Sequence, residues 1–119
     1  MTNVENLGAK GEKEVVKFLI KNDYKILEQN WRFKHKEVDI IAVKKGLICI
    51  VEVKTRSSDY TLAKDAVTKA KQRNLIIAAN AYIEQKKIDN EVRFDVAEVY
   101  LEKSNYRINY IEDAFIPLL

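Results

Sequence analysis

The fold is decided by residues 38–54, which read VDIIAVK (38–44), Lys45-Gly46 and LICIVEVK (47–54). Both runs are rich in β-branched residues, and the Lys-Gly between them suits a two-residue hairpin turn. Such a turn pairs Lys44 with Leu47, Ile40 with Val51, and Asp39 with Glu52. The run from Leu47 to Val51 is apolar on both faces, the pattern of a strand covered on both sides, so it belongs at the centre of a sheet. Residues two apart in a strand share a face, so Glu52 and Lys54 point the same way at its far end.

Side chains paired across a ladder lie roughly 4.5–5.5 Å apart at Cβ, and like charges at that distance repel. Asp39 and Glu52 therefore need a positive neighbour, which is either Lys54 or a divalent cation. Two carboxylates, a backbone carbonyl and water are the oxygen ligands that Mg²⁺ takes. The plainer alternative is an ion-paired sheet end, with Lys54 neutralising Glu52 and Asp39 capping a turn. Both readings depend on the register, because a longer turn with a bulge would move Asp39.

Outward from this hairpin, residues 5–22 read as a helix with Val15, Val16, Leu19 and Ile20 at the spacing of one face. Followed backwards, that line reaches Glu12, which puts a carboxylate at the head of a core-facing stripe. Tyr24–Phe33 reads as a strand. Residues 62–87 read as a long helix whose apolar side carries Ala63, Ala66, Val67, Ala70, Ile77, Ala78, Ala81 and Tyr82, with Asn74 as the exception. Two more strands follow, Val92–Leu101 and Tyr106–Ile111, joined by a turn at 102–105. The order is α-β-β-β-α-β-β, and the unit from Leu47 through the long helix to Val92 should be a crossover joining parallel strands. With three Gly and one Pro, the chain offers no linker, and its 119 residues make one domain, 1–119.

Composition narrows the function. Hydrophobic residues form 47% of the chain, enough for a packed core. The net charge of +3 is only mildly basic, which permits a nucleic-acid partner without requiring one. One Cys and one His cannot build a zinc finger, and Cys49 has no disulfide partner within the chain. No stretch approaches the ~20 apolar residues of a membrane span, and the start lacks a secretory signal, so a soluble cytoplasmic protein is expected. No serine or histidine nucleophile is credible, since His35 lies in a basic loop with no paired base.

Glu12, then Val-Asp39-Ile, then Val-Glu52-Val-Lys54 resembles the active-site pattern of the PD-(D/E)XK nuclease superfamily. That superfamily has an αβββαβ core with a central mixed sheet flanked by helices, and it includes restriction endonucleases and archaeal Holliday-junction resolvases. The closer resemblance is to the YraN-like family, small bacterial proteins usually described as endonuclease-like. It spans nearly the whole chain, through GAKGE (8–12), Gln29-Asn30-Trp31-Arg32, KEVDII (36–41), VEVKTR (51–56), Lys71-Gln72-Arg73 and RFDV (93–96). One departure is Lys36, where the family usually has Gly; it alters a turn and removes no ligand.

The resemblance implies an α/β, restriction-endonuclease-like fold and a metal-dependent nuclease acting on DNA or structured nucleic acid. It implies that Asp39, Glu52 and the Val53 carbonyl hold one or two Mg²⁺ ions, with Mn²⁺ as a substitute. Lys54 would orient the attacking water or offset phosphate charge, and Glu12 would bind metal through water, or a second metal. Lys71 or Gln72 on the long helix would orient the site, as a polar residue there does in the related nucleases. Lys36, Arg56, Lys71, Gln72 and Arg73 are the candidate nucleic-acid contacts, each with a solvated surface as the alternative. Trp31 and Cys49 read as core residues, and Arg93 with Asp95 as a structural ion pair. The apolar tail 114–119 should dock on the core or on a second copy in a homodimer. The competing function is a catalytically silent nucleic-acid-binding or protein-interaction module on the same scaffold.

Overall fold

The computed structural model describes residues 7–56 and 67–116. Five strands form one open mixed sheet between two helices. In chain order the elements are α1 (Leu7–Lys21), β1 (Lys25–Phe33), β2 (Lys36–Lys44), β3 (Leu47–Arg56), α2 (Lys69–Lys86), β4 (Val92–Glu102) and β5 (Asn105–Ile111). The strands lie side by side in the same order as in the sequence, so β3 is central, as its two-sided apolar run predicts. All neighbours are antiparallel except β3 and β4, which run parallel and are joined through α2.

The β2–β3 hairpin turns at Lys45-Gly46, with φ of 51° and 78°. Two successive left-handed residues match the right-handed twist of the flanking strands, so the turn stays at two residues and the register is kept. Lys44 pairs with Leu47 and Ile40 with Val51, as the sequence predicts. Asn90 Nδ2 holds the turn by donating to the Gly46 carbonyl at 2.6 Å.

Alternate β3 residues feed two cores. Cys49 and Val51 pack with Val15 and Leu19 of α1, and Ile48 and Ile50 pack with Leu75, Ala78, Ala79 and Tyr82 of α2. The helices therefore cover opposite faces of the sheet. The buried line of α2 keeps Ala78 and Tyr82 of the one expected and departs from it elsewhere. Ile77 is 45% exposed, Ala70 and Asn74 are also exposed, and the covered face is Leu75, Ala78, Ala79 and Tyr82. That set has the i, i+3, i+4, i+7 spacing of one helix face, and polar Asn74 marks the neighbouring line as the solvent side. The helix starts at Lys69, with Thr68 Oγ1 accepting from Lys71 N at 3.1 Å. The expected start at 62, with Ala63 and Ala66, lies outside the described residues.

On the α1 face, Asp95 is 1% exposed and fully engaged. Arg93 grips it through two nitrogens at 2.8 and 2.9 Å, Tyr110 donates to it at 2.5 Å, and the Asp113 N–H donates at 2.9 Å. This is the structural ion pair that the alternating Arg93-Phe94-Asp95-Val96 suggests. Cys49 is buried, and burial pushes its thiol up to about 11, so it acts as a small apolar side chain. Trp31 lies edge-on to Tyr82 at 5.2 Å, a packing role. The tail docks as far as it is described: Ala114 N donates to Phe94 O at 2.8 Å, and Phe115 stacks on Phe94 at 5.1 Å. Residues 117–119 lie outside the described part.

Candidate functional site

The site forms where β2 and β3 part. Their ladder ends at Ile40–Val51, and Asp39 and Glu52 occupy the next row. Strand alternation breaks there, since Ile40 belongs to the α1-side core and Val38 to the α2-side core. Across on β1, the ladder skips Asn30, whose φ of 53° bends that strand at the same row. With β2 turned away, the Val53 N–H finds no backbone acceptor. Asp39 Oδ2 takes its place at 2.8 Å.

Glu52 is 3% exposed and points to the α2 face. Its Oε2 meets two cations, Lys71 Nζ at 3.1 Å and Lys54 Nζ at 3.7 Å. Its Oε1 is buried with no hydrogen-bond partner among the described residues. A buried carboxylate oxygen without a donor is costly and marks a place where a further positive or donating group belongs. Asp39 lies within hydrogen-bonding reach of Glu52. Burial, then the Glu52 charge, push the Asp39 carboxyl up to about 7. Burial pulls the Lys71 ammonium down, but the charges of Glu52, Asp39 and Glu37 outweigh it and raise its pKa.

Glu12 approaches from the other face. Gly11 sits so close to β3 that a Cβ there would lie 2.0 Å from Thr55 Oγ1. That contact delivers the neighbouring Glu12 to the open end of the sheet, where it hydrogen-bonds Asn30. Burial raises its pKa against that hydrogen bond, helped by the charges of Glu37 and Glu52. Among the described residues, no three His, Cys, Asp or Glu side chains gather tightly enough to hold one ion. Asp39, Glu52 and Lys54 meet at the site, and Glu12 comes to its edge from the α1 side, where its charge acts on Asp39 and Glu52.

The candidate nucleic-acid contacts separate. Lys36 and Lys71 line a cleft of about 180 Å³ with His35, Glu37, Asp39 and Asn74. Arg56 and Gln72 line a second cleft of about 230 Å³, with Lys54 in its wall. Gln72 Nε2 is already committed to the Val67 carbonyl at 3.0 Å, and Arg56 Nη2 lies 4.0 Å from Glu98. Arg73 is exposed and lines neither cleft. Two residues at the site were not singled out by sequence reasoning. Asn30 had a readable signal, since Asn is among the residues that tolerate a left-handed backbone within a strand run. Glu37 had none, because only the fold brings its charge to Glu12 and Lys71.

The molecule is thus a mixed α/β protein with a charged site at the carboxyl end of its central strand, where open sheets with parallel strands bind ligands. Residues 11–99 match the uncharacterised protein family UPF0102. The chain is 48% identical over 114 residues to a UPF0102 protein of Bacteroides fragilis, covering 95% of this chain and 94% of that one. It is 42% identical over 116 residues to one of Parabacteroides distasonis (97% and 96%) and 46% identical over 115 residues to one of Clostridium beijerinckii (93% and 94%). The chain belongs to the UPF0102 family.

Proposed function

We propose that this protein is a metal-dependent nuclease of the PD-(D/E)XK type, hydrolysing phosphodiester bonds of DNA or structured nucleic acid. The observation that carries the reading is the buried, unpartnered Oε1 of Glu52 beside Asp39 at the carboxyl end of the central strand. The two carboxylates offer oxygen ligands, the kind that suits Mg²⁺ or Mn²⁺. Asp39 and Glu52 would hold the ion, with the Val53 carbonyl, which leaves the strand on the same edge as its N–H. A bound divalent ion supplies an activated water and a sink for phosphate charge.

The other roles belong to the chain itself. Lys54, held at 3.7 Å from Glu52, orients the attacking water and offsets charge on the phosphate. Lys36 and Lys71, on the walls of the Asp39 cleft, meet the backbone of the strand being cut. Glu12, raised by burial, steadies the water shell from the α1 side.

The test is cleavage of branched and linear DNA and RNA with Mn²⁺ or Mg²⁺ by wild type and Lys54→Ala. The variant should lose cleavage with its thermal stability intact, and cleavage at the wild-type level removes the role given to Lys54. A second reading has its own support: with Lys54 and Lys71 both on Oε2, Glu52 resembles an ion-paired sheet end. In that case the protein is a silent nucleic-acid-binding module. Its DNA affinity would then be indifferent to Mn²⁺ and to Asp39→Asn.

A further inference from the structure

Lys71 and Lys54 share one oxygen of Glu52 but are not equivalent. Lys54 is two residues from Glu52 on the same buried strand, so its backbone cannot leave. Lys71 reaches Glu52 from the first turn of α2, its side chain is 45% exposed, and it forms the closer contact at 3.1 Å. It also stands in the wall of the Asp39 cleft, beside Lys36, where a phosphate oxygen would arrive. A lysine is a point charge on a flexible stem and moves between partners without rearranging its helix. While it sits on Oε2, it opposes any second cation at Glu52.

We propose that Lys71 is an exchangeable counter-ion: it neutralises Glu52 until nucleic acid binds, then moves to a substrate phosphate and opens the carboxylate to the metal. The proposal rests on the metal-dependent reading above and adds an order to it. Metal and nucleic acid bind cooperatively, because the phosphate removes the ammonium that competes for Glu52. Cooperativity of this kind is reciprocal, so each ligand strengthens the other by the same factor.

The experiment is calorimetric titration of Mn²⁺ into the full chain at pH 8, alone and with an uncleavable phosphorothioate DNA duplex. Wild type, Lys71→Met and Lys71→Arg are compared, with Glu52→Gln as control. Lys71 is half exposed, and unchanged thermal melting checks that its variants fold. Without DNA, Lys71→Met should bind Mn²⁺ about three- to tenfold more tightly than wild type. Its gain in affinity on adding DNA should be smaller than that of wild type. Lys71→Arg keeps the charge and should behave as wild type does. Equal or weaker Mn²⁺ binding by Lys71→Met, or equal tightening in both variants, overturns the exchange while leaving the metal site standing. If no chain binds Mn²⁺ with or without DNA, or if Glu52→Gln binds as wild type does, the metal-dependent reading itself fails.

Discussion

Asp39 carries two duties that compete at neutral pH. Its Oδ2 caps the Val53 N–H at the point where β2 leaves β3, a role that a neutral carboxyl or an amide also fills. Its ionised form, however, faces Glu52 in a buried row. The folded-state pKa of about 7 lies above the unfolded value near 3.8, so the folded protein takes up a proton there. The stability linked to Asp39 is therefore fully present below about pH 4. It is lost as the pH rises through 7 and changes little beyond. Asp39→Asn keeps the cap and removes the charge, so it should be more stable than wild type at pH 8 by about 1–2 kcal/mol. The two should converge towards pH 4, and urea unfolding at both pH values checks this. A wild type that gains stability between pH 5 and 8 relative to Asp39→Asn would contradict the burial of that charge. Of these residues, Asp39, Glu52 and Lys54 follow from hairpin counting alone. The Lys71 contact does not, because no sequence periodicity links a residue in the first turn of α2 to one on β3.

At the scale of elements, one glycine sets the position of α1. With no Cβ at Gly11, the helix lies against Thr55, and Glu12 reaches Asn30. Gly11→Ala should destabilise the protein by about 1–3 kcal/mol through overpacking. Adding Thr55→Ala should recover part of the loss, because it removes the atom that would lie 2.0 Å from the new methyl. Differential scanning calorimetry of the two variants measures both effects, and an unchanged melting temperature for Gly11→Ala would show that α1 shifts freely. Strand identities and the hairpin register were readable because a two-residue turn and a two-sided apolar run leave few alternatives. The buried face of α2 is legible only at Ala78 and Tyr82, because Ala70, Ile77 and Ala81 form a rival line of apolar residues. Its buried side is settled by where Tyr82 meets Trp31 of β1 on the α2 face of the sheet.

For the whole molecule, a net charge of +3 and the few cations at the site limit nonspecific attraction to nucleic acid. Lys36, Lys54 and Lys71 face the two clefts, while Arg73 lies outside them. Binding under the proposed function should release few counterions, with a slope of log K against log salt of about −2 to −4. Fluorescence anisotropy on a short duplex across a salt series measures it, and a slope near −8 would mean that the interface extends well beyond these clefts. Among the described residues, no helix is long and apolar enough to cross a membrane. The sequence by itself determined the order of elements, the central strand and the meeting of Asp39 with Glu52, because local turn chemistry and alternation act over a few residues. Only the tertiary structure decided that Glu12 comes to the site from the α1 face, that Asn30 bends the same row, and that a lysine from α2 occupies Glu52. Those relations join elements far apart in the chain, and they are set by which face each helix buries.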